Sequence, residues 1–131
     1  MAALLKELGY AEAADASTLL WVLNHPEVEV YVATDNLERP VGFVSLSHRP
    51  QLRLRGRIAT IDELVVAEAW RGKGVGTKLV ATAISRATAL SAKRIELTTH
   101  HARLGYRKSF YERNGFVEID CAVLRYKPLE K

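Results

Sequence analysis

The 131 residues are 48% apolar and carry a formal net charge of +4, which argues against a disordered chain and favours one packed domain over residues 1–131. Cys121 is the only cysteine, so an internal disulfide is excluded, and no Cys/His cluster has the spacing of metal ligands. The apolar runs are too short to cross a bilayer and no basic-then-apolar leader opens the chain, so we expect a cytoplasmic protein without a metal or a membrane partner.

The first half of the chain has the patterns of two helices and a hairpin. Leucines on one helical face predict helices around residues 4–8 and 19–23. Alternating valines predict a strand over residues 28–33, and a second strand over residues 41–47 follows a polar turn, so the two form a hairpin. A basic connection over residues 49–56 then leads to the third strand.

The middle of the chain predicts a central strand and one parallel crossover. Residues 58–66 are nearly continuous in apolar residues, as in a strand that is buried on both faces. An apolar stripe over residues 79–90 predicts a helix that begins near Gly76. The next strand, residues 94–99, must run parallel to the third because a helix crosses over between them.

The end of the chain predicts one more helix and two short strands. The helix covers residues 106–113 and stops at the pair Asn114-Gly115. The strands are expected at residues 116–119 and 122–126. The predicted fold is therefore an α/β (α+β) domain with a mixed, mostly antiparallel sheet, one parallel strand pair and helices on both faces.

A glycine-rich corner joins the third strand to the long helix. A helix N-terminus offers unpaired backbone N–H groups and the positive end of the helix dipole, and both attract phosphate. Gly72, Gly74 and Gly76 let the backbone approach phosphate oxygens, while Arg71 and Lys73 add positive charge. The corner therefore predicts a phosphate site, and the alternative is an ordinary charged surface turn.

Three phosphate-binding motifs can be compared with this corner. A P-loop needs four residues between its first glycine and Gly-Lys-Ser/Thr, and that spacing is absent. A dinucleotide fingerprint is Gly-x-Gly-x-x-Gly directly after a strand, whereas here Gly72-x-Gly74-x-Gly76 starts well beyond Val66. The third pattern, Arg-x-x-Gly-x-Gly, is matched by Arg71, Gly74 and Gly76.

That third pattern resembles the pyrophosphate loop of the GNAT superfamily of N-acetyltransferases. Residues 61–66, Ile-Asp-Glu-Leu-Val-Val, are similar to the family's central strand, and residues 110–116 resemble its C-terminal Phe-Tyr-x-x-x-Gly-Phe signature. The three blocks keep the family's order over residues 28–126. Met1 opens within the first predicted helix, so either the chain is truncated or the family's first edge strand is absent. We expect the strand to be absent, and a homodimer could then cover that edge.

The resemblance implies direct transfer of an acetyl group from acetyl-CoA, the cosubstrate, to a primary amine of a small molecule or peptide in a ternary complex. It implies that the pantetheine arm pairs with the backbone of the central strand and that the phosphates lie on the glycine-rich loop. Leu104 stands where the family often has an asparagine, and His100, His101 or Arg107 could replace that contact. The expected cofactor-binding residues are Leu64, Val65, Val66, Arg71, Gly72, Lys73, Gly74, Val75, Gly76 and Thr77.

Acetyl transfer to an amine needs a base, because an alkyl amine with a pKa of about 10 is protonated at neutral pH. Asp62 and Glu63 are the candidates, and strand alternation predicts that they point to opposite faces, with Asp62 on the face of Leu64 and Val66. We expect Asp62 to be the base and Glu63 to be the second choice. Tyr111 matches the family's general acid. The alternatives are a structural acidic pair and a packed aromatic ring.

Two other functions stay open on the sequence. A non-catalytic CoA-binding regulatory module would keep the loop and lack a working acceptor site. Arg53, Arg55 and Arg57 alternate with leucines, which is typical of a solvated strand face or of a contact surface for an acidic substrate or partner. Nucleic acid is not an expected partner, because these arginines lack interleaved aromatic residues and the net charge is small.

Overall fold

The computed structural model describes residues 16–99 and 108–129. The predicted helix around residues 4–8 and the expected absence of a first edge strand fall outside these ranges. The described chain forms a mixed α+β fold with a four-stranded sheet in the order β1-β2-β3-β4. The first two neighbouring pairs are antiparallel and β3 is parallel to β4, as the crossover helix predicted.

The elements follow the predicted order. The helices are α1 (Ala16–Leu23), α2 (Val75–Ala89) and α3 (Lys108–Arg113). The strands are β1 (Val28–Thr34), β2 (Pro40–Gln51), β3 (Gly56–Val66) and β4 (Ala92–Leu97), with short 3-10 turns at Glu68–Trp70 and Lys127–Leu129. No helix of the two described ranges is long and apolar enough to cross a membrane.

The strand β2 extends beyond its predicted end and takes in Pro50. The ladder between β1 and β2 starts at Val28 opposite Ser47, so Pro50 has a strand neighbour only in β3, where it lies opposite Arg57. A proline is tolerated where one side of a strand is unpaired, because its missing N–H is not needed there. At this end of the hairpin β2 is therefore an edge strand, while β3 still pairs with β4 at Arg57, and the hairpin is closed by a turn in which Arg55 has φ 54°.

The helix α2 covers one face of the sheet, which we call the helix face. Its predicted apolar stripe is confirmed, since Leu79, Val80, Ala83 and Ala87 are buried. These α2 residues, Val80 excepted, form one core cluster with residues of β2 and β3, which are Val44, Leu46, Ala59 and Ile61. Alternation along β2 places Phe43, Ser45, Ser47 and Arg49 on the other side, which we call the second face.

The helix α3 ends where the sequence predicted. Gly115 adopts φ 93°, its N–H donates to the carbonyl of Glu112 at 3.1 Å, and the N–H of Phe116 donates to the carbonyl of Tyr111 at 2.9 Å. This pair of bonds is the Schellman motif, which needs a residue that tolerates positive φ. The Asn114-Gly115 stop is thus explained by backbone geometry.

The two predicted strands at residues 116–119 and 122–126 are wrong. Neither segment forms a strand, and the side chains of Val117 and Leu124 are 77% and 92% exposed. A strand needs a neighbouring backbone as well as an alternating pattern, and no described strand runs beside these residues. The alternation of apolar residues was real, but it could not report whether a partner strand was in place.

Candidate active site

The strand β3 carries one extra residue opposite β2. Ser45 lies opposite Glu63 and Leu46 lies opposite Ile61, so Asp62 has no partner across the ladder. Such a β-bulge interrupts the alternation of side chains. Ile61 and Leu64 accordingly both pack into the core on the helix face, although they are three positions apart in the sequence.

The prediction that Asp62 and Glu63 point to opposite faces is wrong because of this bulge. Ser45 and Ser47 are two positions apart on β2 and share the second face. The Ser45 hydroxyl donates to the Glu63 carboxylate and accepts a bond of 3.0 Å from the Glu63 N–H. Ser47 forms a hydrogen bond with the Asp62 carboxyl group. Both carboxyl groups therefore lie at the second face, next to each other.

The two carboxyl groups differ in their surroundings. Asp62 as a residue is exposed, whereas Glu63 is half-buried. Protein atoms nevertheless crowd the Asp62 carboxyl, and this desolvation raises its pKa above the ordinary 3.8. The nearby charge of Glu63 raises the pKa further, and the hydrogen bond with Ser47 partly opposes both effects. Asp62 thus holds a proton more readily than a free aspartate does.

The serines that hold the two acids were missed by the sequence analysis. A signal for them was present, because Ser45 and Ser47 follow Val41 and Phe43 at alternate positions of a largely apolar strand. Ser45 is only 4% exposed. A buried hydroxyl needs a hydrogen-bond partner, and the facing strand is where one would be sought.

The parallel strands β3 and β4 separate next to the acid pair. Their ladder runs from Arg57 opposite Ala92 to Ile61 opposite Leu97 and ends there. The fourth strand had been predicted to reach residue 99, so its pairing stops earlier than expected. Within the described chain, β3 from Asp62 to Val66 therefore has no strand neighbour on that side. Three of the predicted cofactor-binding residues lie along this open edge, namely Leu64, Val65 and Val66.

The glycine-rich corner forms a turn over residues 71–74 before α2 begins. Gly72 and Gly74 adopt φ 76° and 86°, and among the described residues, chain neighbours aside, no heavy atom lies within 4 Å of a Cβ added at either position. These glycines are thus required by backbone conformation rather than by crowding. Gly74 is the N-cap of α2 and has no side chain with which to cap it, and the first-turn N–H groups of a helix have no partner within the helix itself.

The two cations of the corner are held by the protein itself. Arg71 Nε donates to the carbonyl of Val66 at 3.1 Å, and this bond ties the loop to the end of β3. The Lys73 ammonium lies 5.1 Å from the ring centre of Trp70, within the range of a cation–π contact. Both side chains are exposed, so the corner stays positively charged while its shape is fixed.

The third glycine of the corner joins α2 to α3. A Cβ at Gly76 would lie 3.2 Å from the Phe110 ring, so a larger residue would push α3 away. Phe110 and the next residue, Tyr111, have ring centres 5.2 Å apart, and Tyr111 also contacts Phe116 with ring centres 6.3 Å apart. The contact at Gly76 thus holds the helix that carries Tyr111 against the start of α2.

Some predicted positions cannot be placed. His100, His101, Leu104 and Arg107 lie outside the described residues. Val75 and Thr77, by contrast, are in the first turn of α2, as the loop motif predicted. Within residues 16–99 and 108–129, no group of three or more His, Cys, Asp or Glu side chains is arranged to hold a metal ion.

Comparisons with known proteins agree with this geometry. The sequence model of the Acetyltransferase (GNAT) family matches residues 3–116. A solved putative acetyltransferase from Agrobacterium tumefaciens str. C58 is 30% identical, with a TM-score of 0.76 and alignment over 88% of this chain and 78% of that chain. A solved transcriptional regulator from Bacillus halodurans C-125 is 29% identical, with a TM-score of 0.74 and alignment over 90% and 74%.

A more distant structure shares the fold. Ribosomal-protein-alanine N-acetyltransferase from Brucella melitensis biovar Abortus 2308 is 22% identical, with a TM-score of 0.74 and alignment over 95% of this chain and 89% of that chain. No curated protein matches the sequence significantly. The family match over most of the chain, together with the similar structures, shows that this protein belongs to the GNAT family of acetyltransferases.

Proposed function

We propose that the protein transfers an acetyl group from acetyl-CoA directly to a primary amine of a small molecule or peptide. The observation that carries this proposal is the open edge of β3 from Asp62 to Val66, which runs from the acid pair towards the glycine-rich corner. An extended chain with amide groups binds well along such an edge, because backbone N–H and C=O groups there lack partners. The pantetheine arm of acetyl-CoA is a chain of this kind.

The corner fits the diphosphate of the same cosubstrate. Positive φ at Gly72 and Gly74, an uncapped helix start and two exposed cations favour a bound anion. Acetyl-CoA supplies an activated acetyl group as a thioester. We assign its binding to the backbone of β3 and to the corner, that is, to Leu64, Val65, Val66, Arg71, Gly72, Lys73, Gly74, Val75, Gly76 and Thr77.

Asp62 is the proposed base. Its exposure suits contact with an incoming amine, and its raised pKa makes it a better proton acceptor than an ordinary aspartate. Glu63 is the second candidate, but its carboxylate is already bound by the Ser45 hydroxyl. In this proposal Ser45 holds Glu63, and the negative charge of Glu63 strengthens the affinity of Asp62 for a proton.

Tyr111 is the proposed general acid. A phenol with an ordinary pKa of about 10 is protonated at neutral pH and can donate to a leaving thiolate. The packing of α3 on Gly76 supports this role, because it holds the tyrosine-bearing helix at the corner where the cosubstrate would enter.

A panel of amines with acetyl-CoA and a thiol-detecting dye tests the proposal. We expect at least one class of primary amine to cause release of CoA, and no further reagent to be needed. The second candidate is a non-catalytic CoA-binding regulator, which the 29% identical transcriptional regulator favours. Folded protein that binds CoA by calorimetry and acetylates none of the amines would support that candidate and overturn the first.

A further inference from the structure

Two arginines flank Ile58 on the second face of the sheet. Arg49 of β2 and Arg94 of β4 both lie opposite Ile58 of β3. Residues paired across neighbouring strands point to the same side, and Arg49 shares the face of Ser47, two positions before it. The Cα atoms of the two arginines are about 10 Å apart, since two strand spacings separate them. Their long side chains can therefore meet at one bound group.

A third cation joins this pair. The Lys93 side chain passes over Gly56, where its Cγ atom lies 2.8 Å from the position that a Cβ would take. Gly56 is two positions before Ile58 in β3, so this place is on the same face. The missing side chain at Gly56 gives Lys93 room to lie beside the two arginines. We call Arg49, Lys93 and Arg94 the basic row.

The positive charge of the basic row is not compensated by the described part of the protein. All three side chains are exposed, and none of them makes an ion pair or side-chain hydrogen bond with residues 16–99 or 108–129. Glu96 is the acid nearest along the strand, two positions from Arg94 on the same face, and it makes no ion pair with the basic row. Glu27 and Glu29 are engaged elsewhere, at 3.6 Å from Arg57 and 2.6 Å from Arg86. Arg39, Arg57 and Arg86 each have an acidic partner within 4 Å, whereas the basic row has none among the described residues, so it is suited to an external anion.

The acid pair lies on the same face at a short distance from the basic row. Ser47, which binds Asp62, is two positions from Arg49, a step of about 7 Å along a strand. Between the acid pair and the basic row, Thr60 of β3 lies opposite Glu96 of β4, which adds a further carboxylate next to the acid pair. Negative and positive groups therefore follow each other along one face, and this order matches a ligand with an amine at one end and an anion at the other.

We infer that the acetyl acceptor is an amine that also carries a carboxylate or phosphate group, roughly 7–10 Å from its nitrogen, and that the basic row binds this group. The inference rests on the proposed function, because Asp62 is what fixes the position of the amine. It narrows the acceptor to anionic amines and excludes polycationic ones as preferred substrates.

Matched acceptors test the inference. Aminohexanoate is compared with aminohexanamide, and aminopentyl phosphate with aminopentanol, so that each pair differs in the anionic group alone. We expect the anionic member to have the higher kcat/KM, by roughly tenfold or more, because charge-assisted hydrogen bonds are strong. The pair with the larger ratio tells a carboxylate site from a phosphate site. Equal values within both pairs would overturn the inference and leave acetyl transfer itself intact.

Variants show whether the basic row is responsible. Arg49→Gln and Arg94→Gln should lower the ratio of kcat/KM between the anionic and the neutral acceptor, and the double variant should bring it close to one. Arg53→Gln is the matched control, because it removes the same charge from the exposed turn of the hairpin, beyond the reach of these short acceptors. An equal loss of the ratio in the control would show a general charge effect and contradict a defined site.

A binding experiment covers the case in which no amine is acetylated. Calorimetry with N-acetyl-aminohexanoate and its amide measures the preference without turnover. Tighter binding of the acid, lost in the double variant, supports the anion site even if the proposed activity fails. Equal binding of acid and amide overturns the inference in either case.

Discussion

The Ser45 hydroxyl is bonded to Glu63 twice, to its backbone N–H at 3.0 Å and to its side-chain carboxylate. One buried side chain on β2 thus fixes both the backbone of β3 next to the bulge and the charge beside Asp62. A bulge leaves backbone groups without ladder partners, and this hydroxyl supplies one.

Replacing Ser45 should therefore destabilise the protein. In Ser45→Ala the Glu63 N–H and carboxylate both lose their partner, and we expect the free energy of unfolding to fall by about 1–3 kcal/mol. Urea denaturation measures the change. Ser85→Ala is the control, because Ser85 is exposed on α2, and it should change the stability by less than about 0.5 kcal/mol. Equal stability of the two variants would show that the Ser45 bonds do not hold the bulge.

Asp62→Asn should remove the base while making the fold more stable at neutral pH. The folded-state pKa of Asp62 is raised, so the folded protein binds this proton more tightly than the unfolded chain does. The free energy of unfolding therefore falls as pH rises from the ordinary pKa of 3.8 to the raised pKa of Asp62. At higher pH the whole destabilising effect of the charged carboxylate remains. The asparagine variant should accordingly melt higher at neutral pH, and this gain should vanish near pH 3.8.

The same variant should lose most of the acetyl transfer, by roughly a hundredfold or more in kcat, with unchanged affinity for CoA. Glu63→Gln is the matched comparison and should retain more activity. It should also move the acidic limb of the pH profile to lower pH, because the charge of Glu63 raises the pKa of Asp62. A larger loss in Glu63→Gln than in Asp62→Asn would reverse the assignment of the base.

Tyr111→Phe should lower kcat by roughly a hundredfold or more and leave CoA binding intact, because only the proton donor is removed. Tyr126→Phe is the control, since Tyr126 is 69% exposed in the segment after α3. Turnover with a good acceptor and CoA affinity are measured for both variants. Similar rates for the two would remove Tyr111 from the mechanism.

The ion pair between Glu29 and Arg86 should make stability depend on acidic pH. Arg86 donates two hydrogen bonds to Glu29, at 2.6 and 3.1 Å, which lower the pKa of Glu29 although burial opposes the shift. The contribution of the ion pair to stability is therefore complete when the pH is above 4.5, the ordinary pKa of a glutamate. It is lost as pH falls below 4.5 towards the lowered pKa of Glu29. The Arg86 side chain is 42% exposed, so solvent screening keeps the contribution of this ion pair to stability small.

Denaturation of Glu29→Gln across pH tests this expectation. The variant should be less stable than the parent at neutral pH, and the difference should shrink on acidification below pH 4.5. Lys108→Gln is the control, because the Lys108–Glu118 pair is 3.9 Å long and exposed on both sides. A difference for Glu29→Gln that stays constant with pH would point to lost packing instead of lost charge.

Gly74→Ala should weaken both the fold and CoA binding. A Cβ at φ 86° costs about 1–2 kcal/mol, even though space around the position is open. Gly74→Asn is the matched variant, because asparagine tolerates this conformation and is favoured at an N-cap. We expect melting and calorimetry to rank the parent first, the asparagine variant second and the alanine variant last. An alanine variant equal to the parent would show that the turn does not depend on positive φ.

Much of the fold could be predicted from the sequence, because the patterns involved are local. The alternation in β1, the apolar stripe of α2 and the stop at Gly115 each report a structure that a few neighbouring residues determine. The end of β2 was placed too early, because a proline is compatible with a strand only where one side is unpaired, and that depends on where β1 begins.

The candidate site was predictable in its residue types and less so in its arrangement. The acid pair and the glycine-rich corner stood out by composition and spacing. The bulge at Asp62 did not, since it arises from the register between two strands and leaves no period of its own in the sequence. The roles of Ser45 and Ser47 depend on that register and could not be read before it was known.

A crystal structure of the protein with acetyl-CoA tests the central claim most directly. The account predicts the diphosphate at the N–H groups of residues 72–77, and the pantetheine amides bonded to the β3 backbone at residues 64–66, with the thioester beside Asp62. A diphosphate bound elsewhere would contradict the account. So would a structure in which residues 98–99 pair with β3 and close its open edge.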